Sequence, residues 1–288
     1  MDYFDSYKEM LQLRGLTEHT LISYSTYIKA YLDYLNKTGI APEKASWENM
    51  REFILCLQTE RSLADRTINA VISQLRFFRI YVLHQNWDPY QIPFRKFDTY
   101  MPYVPEQDQV FKFISTIDDI KFKTLIILMY SAGLRSGEVR HLRYEDISRS
   151  QGRIHVARGK SRYDRYAVLS DRALNCLTDY WFACGRPRNY LFPSSQKRDG
   201  KEVPVSSQYM SSKIREHEDF LGWEHKITAH TFRHAFATHL YENGADLLTI
   251  KSLLGHRSLN STTIYIHLAK KTLHQYPNPF DRMMETFE

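Results

Sequence analysis

Arg135, Lys160, His230, Arg233, His256 and Tyr265 are the residues of this 288-residue chain whose types and spacing could do chemistry together. His230 and Arg233 stand three apart at the start of a helical pattern, His256 follows in Leu253-Leu254-Gly255-His256, and Tyr265 comes nine residues later. Six of the twelve histidines fall between His225 and His267, which marks that stretch as polar chemistry rather than ordinary core. Breaking a phosphodiester with side chains alone needs a nucleophile, positive charge on the non-bridging oxygens, a proton acceptor and an acid for the departing oxygen. The Tyr265 phenol can attack, giving up a proton whose reference pKa is about 10. Arg135 and Arg233 can each grip phosphate through two parallel hydrogen bonds. His230 shares a helix face with Arg233 and can accept the phenol's proton. Lys160, after Gly159 in a turn between β segments, can protonate the leaving 5′ oxygen. His256 can add a hydrogen bond to the phosphate.

These residues need elements to hold them. Helical spacing runs through Leu21, Tyr24, Ile28, Tyr31, Leu32 and Leu35, with Thr17 placed to cap. A second helix starts after Ser46 and a third after Asp65, the latter with Ile68, Val71, Ile72, Leu75, Phe78 and Val82 on one face. The other face shows Arg66, Arg76 and Arg79, candidates for phosphate contact or an ordinary solvated surface. Residues 1–90 therefore read as a helical domain. Residues 91–105, with three prolines and no periodicity, read as a linker. Residues 106–288 read as a second domain. In it, helical patterns cover Glu106–Ile117 and Lys121–Ser131, with Gly133-Leu134-Arg135 as a turn and Ser136 as the next cap. Short β segments follow between Ile147 and Leu169, punctuated by Gly152 and Gly159, where Ile154 and Val156, then Tyr166 and Val168, alternate. Helices return after Asp171, and Pro187 to Pro204 is a loop. Asn278-Pro279 starts a tail helix over 279–287 carrying Phe280, Met283, Met284 and Phe287 as one stripe. The fold expected is mainly α with a small antiparallel β-sheet in the second domain.

Composition narrows the classes. With 43% hydrophobic and 25% charged residues, the chain is an ordinary globular protein. No apolar run is long enough to span a membrane, and MDYFDSYKEM lacks the basic start and apolar core of a signal peptide. Three scattered cysteines offer neither a disulfide framework nor a CxxC site, which suggests a reducing, cytoplasmic setting. The net charge of +6 is unevenly placed: residues 1–100 carry twelve basic and twelve acidic side chains, so the whole excess lies beyond them. Nine basic and four acidic residues fall between Arg135 and Arg165 alone. That favours a polyanionic partner.

The motifs resemble those of the tyrosine recombinases, the phage-type integrases, in their compact Xer-like two-domain form. Gly133-Leu134-Arg135-Ser136-Gly137-Glu138 matches the first arginine motif, Lys160 in GKSRYDRYAVLS the hairpin lysine, and His230-Thr231-Phe232-Arg233-His234 the His-x-x-Arg-His motif. Leu254-Gly255-His256 and Tyr265 match the remaining two. One departure is Ala167-Val168-Leu169, which stands where the family usually has Val-Pro-Leu. The resemblance implies a helical core-binding (SAM-like) domain over 1–90 and a catalytic domain over 106–288. It implies strand cleavage and rejoining of double-stranded DNA through a 3′-phosphotyrosine, with no cofactor and no metal. It also implies a homo-tetramer on two sites whose C-terminal helices dock in trans, and Arg162 joins Arg66, Arg76 and Arg79 as a candidate DNA contact. Rival readings are weaker. His230 and His234 have the i, i+4 spacing of metal ligands, but Thr-Phe-Arg between them supplies no glutamate base and puts a cation beside the metal. A non-catalytic DNA-binding protein on this fold would show a broken constellation. A type IB topoisomerase shares the chemistry but relaxes DNA as a monomer.

Overall fold

Ser46 begins a helix in the way its sequence predicts. Its hydroxyl accepts from the Asn49 N–H at 3.2 Å, and the Asn49 side chain accepts from the Ser46 N–H at 3.0 Å, so two end donors are satisfied reciprocally. The computed structural model describes residues 2–98, 101–157 and 164–269, in two units, Met1–Tyr100 and Met101–Glu288. Lys160, Arg162 and the predicted tail helix over 279–287 lie outside the described residues. Among the described residues no helix is long and apolar enough to cross a membrane.

The first unit is built from α1 (Tyr3–Leu13), α2 (Glu18–Lys37), α3 (Trp47–Thr59) and α4 (Asp65–Tyr81). The expected apolar face of α4 is buried from Ile68 to Phe78, and Ile28, Tyr31 and Leu35 of α2 close on it. Buried Gln74 accepts from the Tyr7 hydroxyl at 2.7 Å, which satisfies both polar groups inside the core. The segment read as linker divides between the units. Ile92 is in the first core. Arg95 exchanges backbone hydrogen bonds with the Asn69 side chain at 2.8 and 3.0 Å and pairs with Asp65 at 2.8 Å. Tyr103 packs on the second core, where Pro105 is also buried. The three prolines lie in irregular backbone, but irregular backbone is not free backbone when side chains take up its polar groups.

The second unit comprises α5 (Gln107–Ser115), α6 (Ile120–Ala132), α7 (Ser136–Arg140), β1 (Ile147–Ser148), β2 (Arg153–Val156), β3 (Arg165–Val168), α8 (Asp171–Ala183), α9 (Ser207–Leu221), α10 (Ala229–Glu242), α11 (Leu247–Leu254) and α12 (Asn260–Leu268). Helix α6 is apolar nearly all round and lies at the centre, packed chiefly against α10 and α8. Ser136 is the first helical residue of α7 rather than its cap, because Arg135 holds the extended cap conformation.

The sheet is antiparallel in the order β1-β2-β3. Its register corrects one expectation. Val156 pairs with Arg165 and Ile154 with Ala167, so these four share the inner face. Tyr166 and Val168 point outward, about half exposed. Tyr166 instead lies beside Arg153, whose guanidinium carbon is 4.0 Å from the ring centroid. A strand slipped by one residue exchanges its faces. In β3 the inner face is occupied by an arginine and an alanine, which hydrophobic alternation does not find.

Candidate active site

Two turns of backbone and two helices make the site. Gly133 ends α6 at φ 60°, and a Cβ there would run into the Phe236 ring and Leu254, so glycine is required both for conformation and for space. Leu134 is fully buried and fixes the turn. Arg135 follows, and Glu138 accepts from both its backbone N–H at 2.8 Å and its guanidinium at 2.7 Å. The Gly-Leu-Arg-x-x-Glu spacing is thus one capped turn that aims a guanidinium.

Arg233, three residues after His230 on α10, is 2% exposed. Its guanidinium donates to the Gly133 carbonyl at 2.5 Å and the Leu254 carbonyl at 2.6 Å. It sits 3.7 Å from Glu138. Leu254 is the last residue of α11, whose end carbonyls have no intrahelical partner. Gly255 then turns the chain at φ 65° and presents His256 directly beyond the helix. Leu-Gly-His is therefore a helix stop that exposes a histidine while its carbonyls hold an arginine. Burial, then the neighbouring Arg135, push the Arg233 pKa down to about 9. Glu138 is buried, which opposes its ionisation, yet Arg165 and Arg135 hold its carboxyl below the usual range. One carboxylate among three arginines leaves excess positive charge, suited to a phosphodiester.

Tyr265, on α12, is 1% exposed. The His256 ring stacks near it, 6.3 Å between centroids at 12°, and His234 lies 5.9 Å away on the α10 side. Burial raises the Tyr265 pKa, and Arg233 and Arg135 oppose that rise. His256 is lowered to about 4 by burial and by Arg233 and Arg135, and its Nδ1 is 3.0 Å from the Thr262 hydroxyl. His234 is lowered to about 4 by burial, His230 and Arg233. His230 is more exposed and lines a cleft of about 370 Å³ together with Arg135, Gly137, His141, His155 and Ala157. The structure thus gathers Arg135, His230, Arg233, His256 and Tyr265 from four elements.

The candidate DNA contacts fare differently. Arg66 and Arg76 are exposed on α4. Arg79 on the same helix is engaged internally, donating to the Asn86 carbonyl at 3.0 Å and the Ala45 carbonyl at 3.4 Å and stacking over Trp47. Of the three arginines on α4, Arg66 and Arg76 are the ones exposed to meet a phosphate. Glu138 and Arg165 are the site residues that motif reading passed over. The signal for Glu138 was its i+3 spacing from Arg135; Arg165 had none beyond its charge. Among the described residues no group of three or more His, Cys, Asp or Glu is placed to hold a metal ion.

Residues 104–272 match the model of the phage integrase family, and residues 3–89 match its N-terminal SAM-like domain. The chain belongs to the phage integrase family. It is a Xer-like tyrosine recombinase, with a helical SAM-like domain before the catalytic one. The chain is 32% identical to y4qK of Sinorhizobium fredii, named for integrase/recombinase activity, over 95% of this chain and 86% of that protein. It is 27% identical to the tyrosine recombinase XerD of Staphylococcus aureus, over 96% of this chain and 97% of that one. Among solved structures it resembles XerH site-specific recombinase bound to palindromic difH substrate, with a TM-score of 0.71 and 21% identity over 95% of this chain and 83% of that chain. It also resembles a lambda integrase dimer bound to a COC′ core site, with a TM-score of 0.72 and 19% identity over 96% of both chains. At these identities the two structures speak for the fold alone.

Proposed function

We propose that this tyrosine recombinase cuts and rejoins double-stranded DNA at a specific site, with Tyr265 as nucleophile, to integrate, excise or resolve a DNA element. The carrying observation is the placement of Tyr265 beside His256 and under the influence of Arg233 and Arg135, the two arginines braced by Glu138. The Tyr265 oxygen forms a bond to the scissile phosphorus as the bond from phosphorus to the 5′ oxygen breaks. Arg135 and Arg233 hold the non-bridging oxygens, whose charge grows as the phosphorus becomes five-coordinate. The phenol's proton passes to His230, and Lys160 gives a proton to the departing 5′ oxygen. The 5′ hydroxyl of a partner strand then attacks the 3′-phosphotyrosine, and the tyrosine leaves with its proton restored. The phosphodiester's bond energy is held in the phosphotyrosine, so the two steps balance without an added energy source.

Two features of the full reaction rest on the family and on the sequence. Exchange between two sites calls for four protomers, two on each site, and a tail that reads as a helix in the sequence is suited to link them. The reaction belongs in the cytoplasm, where the DNA of such elements lies. Arg66, Arg76 and Arg162 supply phosphate contacts that position the duplex without reading its sequence.

The test is Tyr265→Phe on nicked duplex carrying the junction of the host element. The variant should bind the DNA as the wild type does and form no covalent adduct on a denaturing gel. An adduct in that variant would exclude Tyr265 as the nucleophile.

A further inference from the structure

Arg165 has no part in the motifs of the reaction, yet it is among the most committed side chains of the second unit. It opens β3 opposite Val156 and faces inward, its side chain 10% exposed. One guanidinium nitrogen lies 2.6 Å from a Glu138 oxygen, and the other donates to the Leu253 carbonyl at 3.2 Å. Its aliphatic stem passes so close to Gly255 that a Cβ on that residue would overlap the Arg165 Cδ and Nε. Gly255 is also at φ 65°, so glycine serves the turn and the arginine together.

These contacts join three elements. Leu253 and Leu254 end α11, and their consecutive carbonyls are held by Arg165 and Arg233 respectively. Cationic donors at a helix C-terminus match both the unpaired carbonyls and the negative end of the helix dipole. Both arginines also face the carboxylate that orients Arg135. His256 follows the glycine against which Arg165 rests. We propose that Arg165 is a positioning residue: it fastens the end of α11, and with it His256, to the Glu138–Arg135 pair, so that histidine and arginines form one phosphate-binding face. The proposal rests on the reading of this site as a phosphodiester-cleaving centre.

The planar fork matters more than the charge. A guanidinium can span a carboxylate and a carbonyl on different elements, whereas a lysine ammonium is a point donor on a flexible stem. Lysine or glutamine at 165 therefore keeps length and polarity but loses one of the two attachments. The carboxylate would still hold Arg135 through its own two hydrogen bonds. What is loosened is the α11 end, so the loss should fall on the contribution that His256 makes.

The experiment is a double-mutant cycle on full-length protein, with Arg165→Gln, Arg165→Lys and His256→Ala. Single-turnover cleavage is followed on the nicked duplex at which the wild type forms its adduct. Duplex binding and melting temperature are measured beside it. Arg165→Gln and Arg165→Lys should each slow cleavage about 10- to 100-fold, the cost of displacing a catalytic group by about 1 Å, while binding stays near wild type. In the His256→Ala background the same substitutions should cost about threefold at most, because residues acting through one another are not additive. Equal losses in both backgrounds would assign Arg165 a general structural role and overturn the proposal. Should Arg165→Gln fail to fold, the same comparison is made with Arg165→Lys, which keeps the positive charge beside Glu138. A wild-type protein that forms no adduct would overturn the reading of the site itself, a result separate from the cycle.

Discussion

His234 and His256 show how one residue type takes its meaning from its surroundings. Both rings are buried near positive groups, and burial first, then those charges, push both pKa values down to about 4, below an ordinary histidine. Each is neutral at pH 7, so the site's positive charge resides in its arginines. His256 Nδ1 is 3.0 Å from the Thr262 hydroxyl; when that hydroxyl donates, the neutral ring's proton is on Nε2, the form that can donate to a phosphate oxygen. The same shifts set a pH dependence of stability. Between about pH 6.5 and 4 the unfolded chain binds protons on these histidines that the folded chain does not. Stability from this source is therefore complete above the unfolded value and is lost as pH falls toward 4. Melting temperature measured from pH 7.5 down to 4.5 should decline below about 6.5, and His234→Gln should flatten the decline. An unchanged slope in that variant would mean that His234 protonates in the folded protein as freely as in the unfolded chain.

At the scale of elements, local chemistry decided what could be read in advance. Helices α2, α3 and α4 begin within a residue of their expected starts; at α3 the Ser46–Asn49 capping box acts over one turn, whereas Thr17 and Ala64 cap α2 and α4 without a side-chain hydrogen bond. The Gly-Leu-Arg and Leu-Gly-His motifs were legible for the same reason, each being a left-handed glycine at a helix end followed by the working residue. The inner face of β3 was not legible, since nothing local says that Arg165 will find a carboxylate and a helix terminus across the fold. Nor does the sequence of residues 91–98 show that Asn69 and Asp65 will tie them down. The β2–β3 hairpin bears on catalysis as well. Its register is fixed by the pairs from Arg153↔Val168 to Val156↔Arg165, and His155 lies 3.4 Å from Asp146 and 3.3 Å from Asp164. Lys160 belongs to the segment those strands connect. Under the proposed role as acid for the leaving oxygen, it should be dispensable when that oxygen is replaced by sulfur, which leaves without a proton. Lys160→Ala should thus cleave ordinary DNA slowly and a 5′-bridging phosphorothiolate at near wild-type rate. Slow cleavage of both substrates with binding intact would give Lys160 a positioning role instead.

At the scale of the whole molecule, the uneven charge and the tail bear on assembly. Residues 1–100 are balanced in charge, so the second unit carries the excess that attracts DNA. The last twelve residues differ in kind. In the sequence, Asn278 and Pro279 read as a helix start, and Phe280, Met283, Met284 and Phe287 recur at i, i+3, i+4 and i+7. A helix of about three turns is marginal in water on its own, so its stability must come from docking that stripe on another surface. Burying the four side chains would contribute on the order of 1.5–3 kcal/mol each before ordering costs. Helix α12 ends at Leu268, where Ala269 is extended, and the prolines at 277 and 279 follow later in the sequence. A stripe alone does not say whose groove it fills, but passing it to the next protomer closes a ring with identical contacts, which suits a cyclic assembly. A chain ending at Tyr276 should therefore bind one half-site and retain some cleavage, yet lose cooperative binding and two-site complexes in gel-shift and light-scattering measurements. If the shortened chain assembles two-site complexes as well as the full one, docking in trans is wrong. If it melts well below the full chain before meeting DNA, the helix packs on its own protomer.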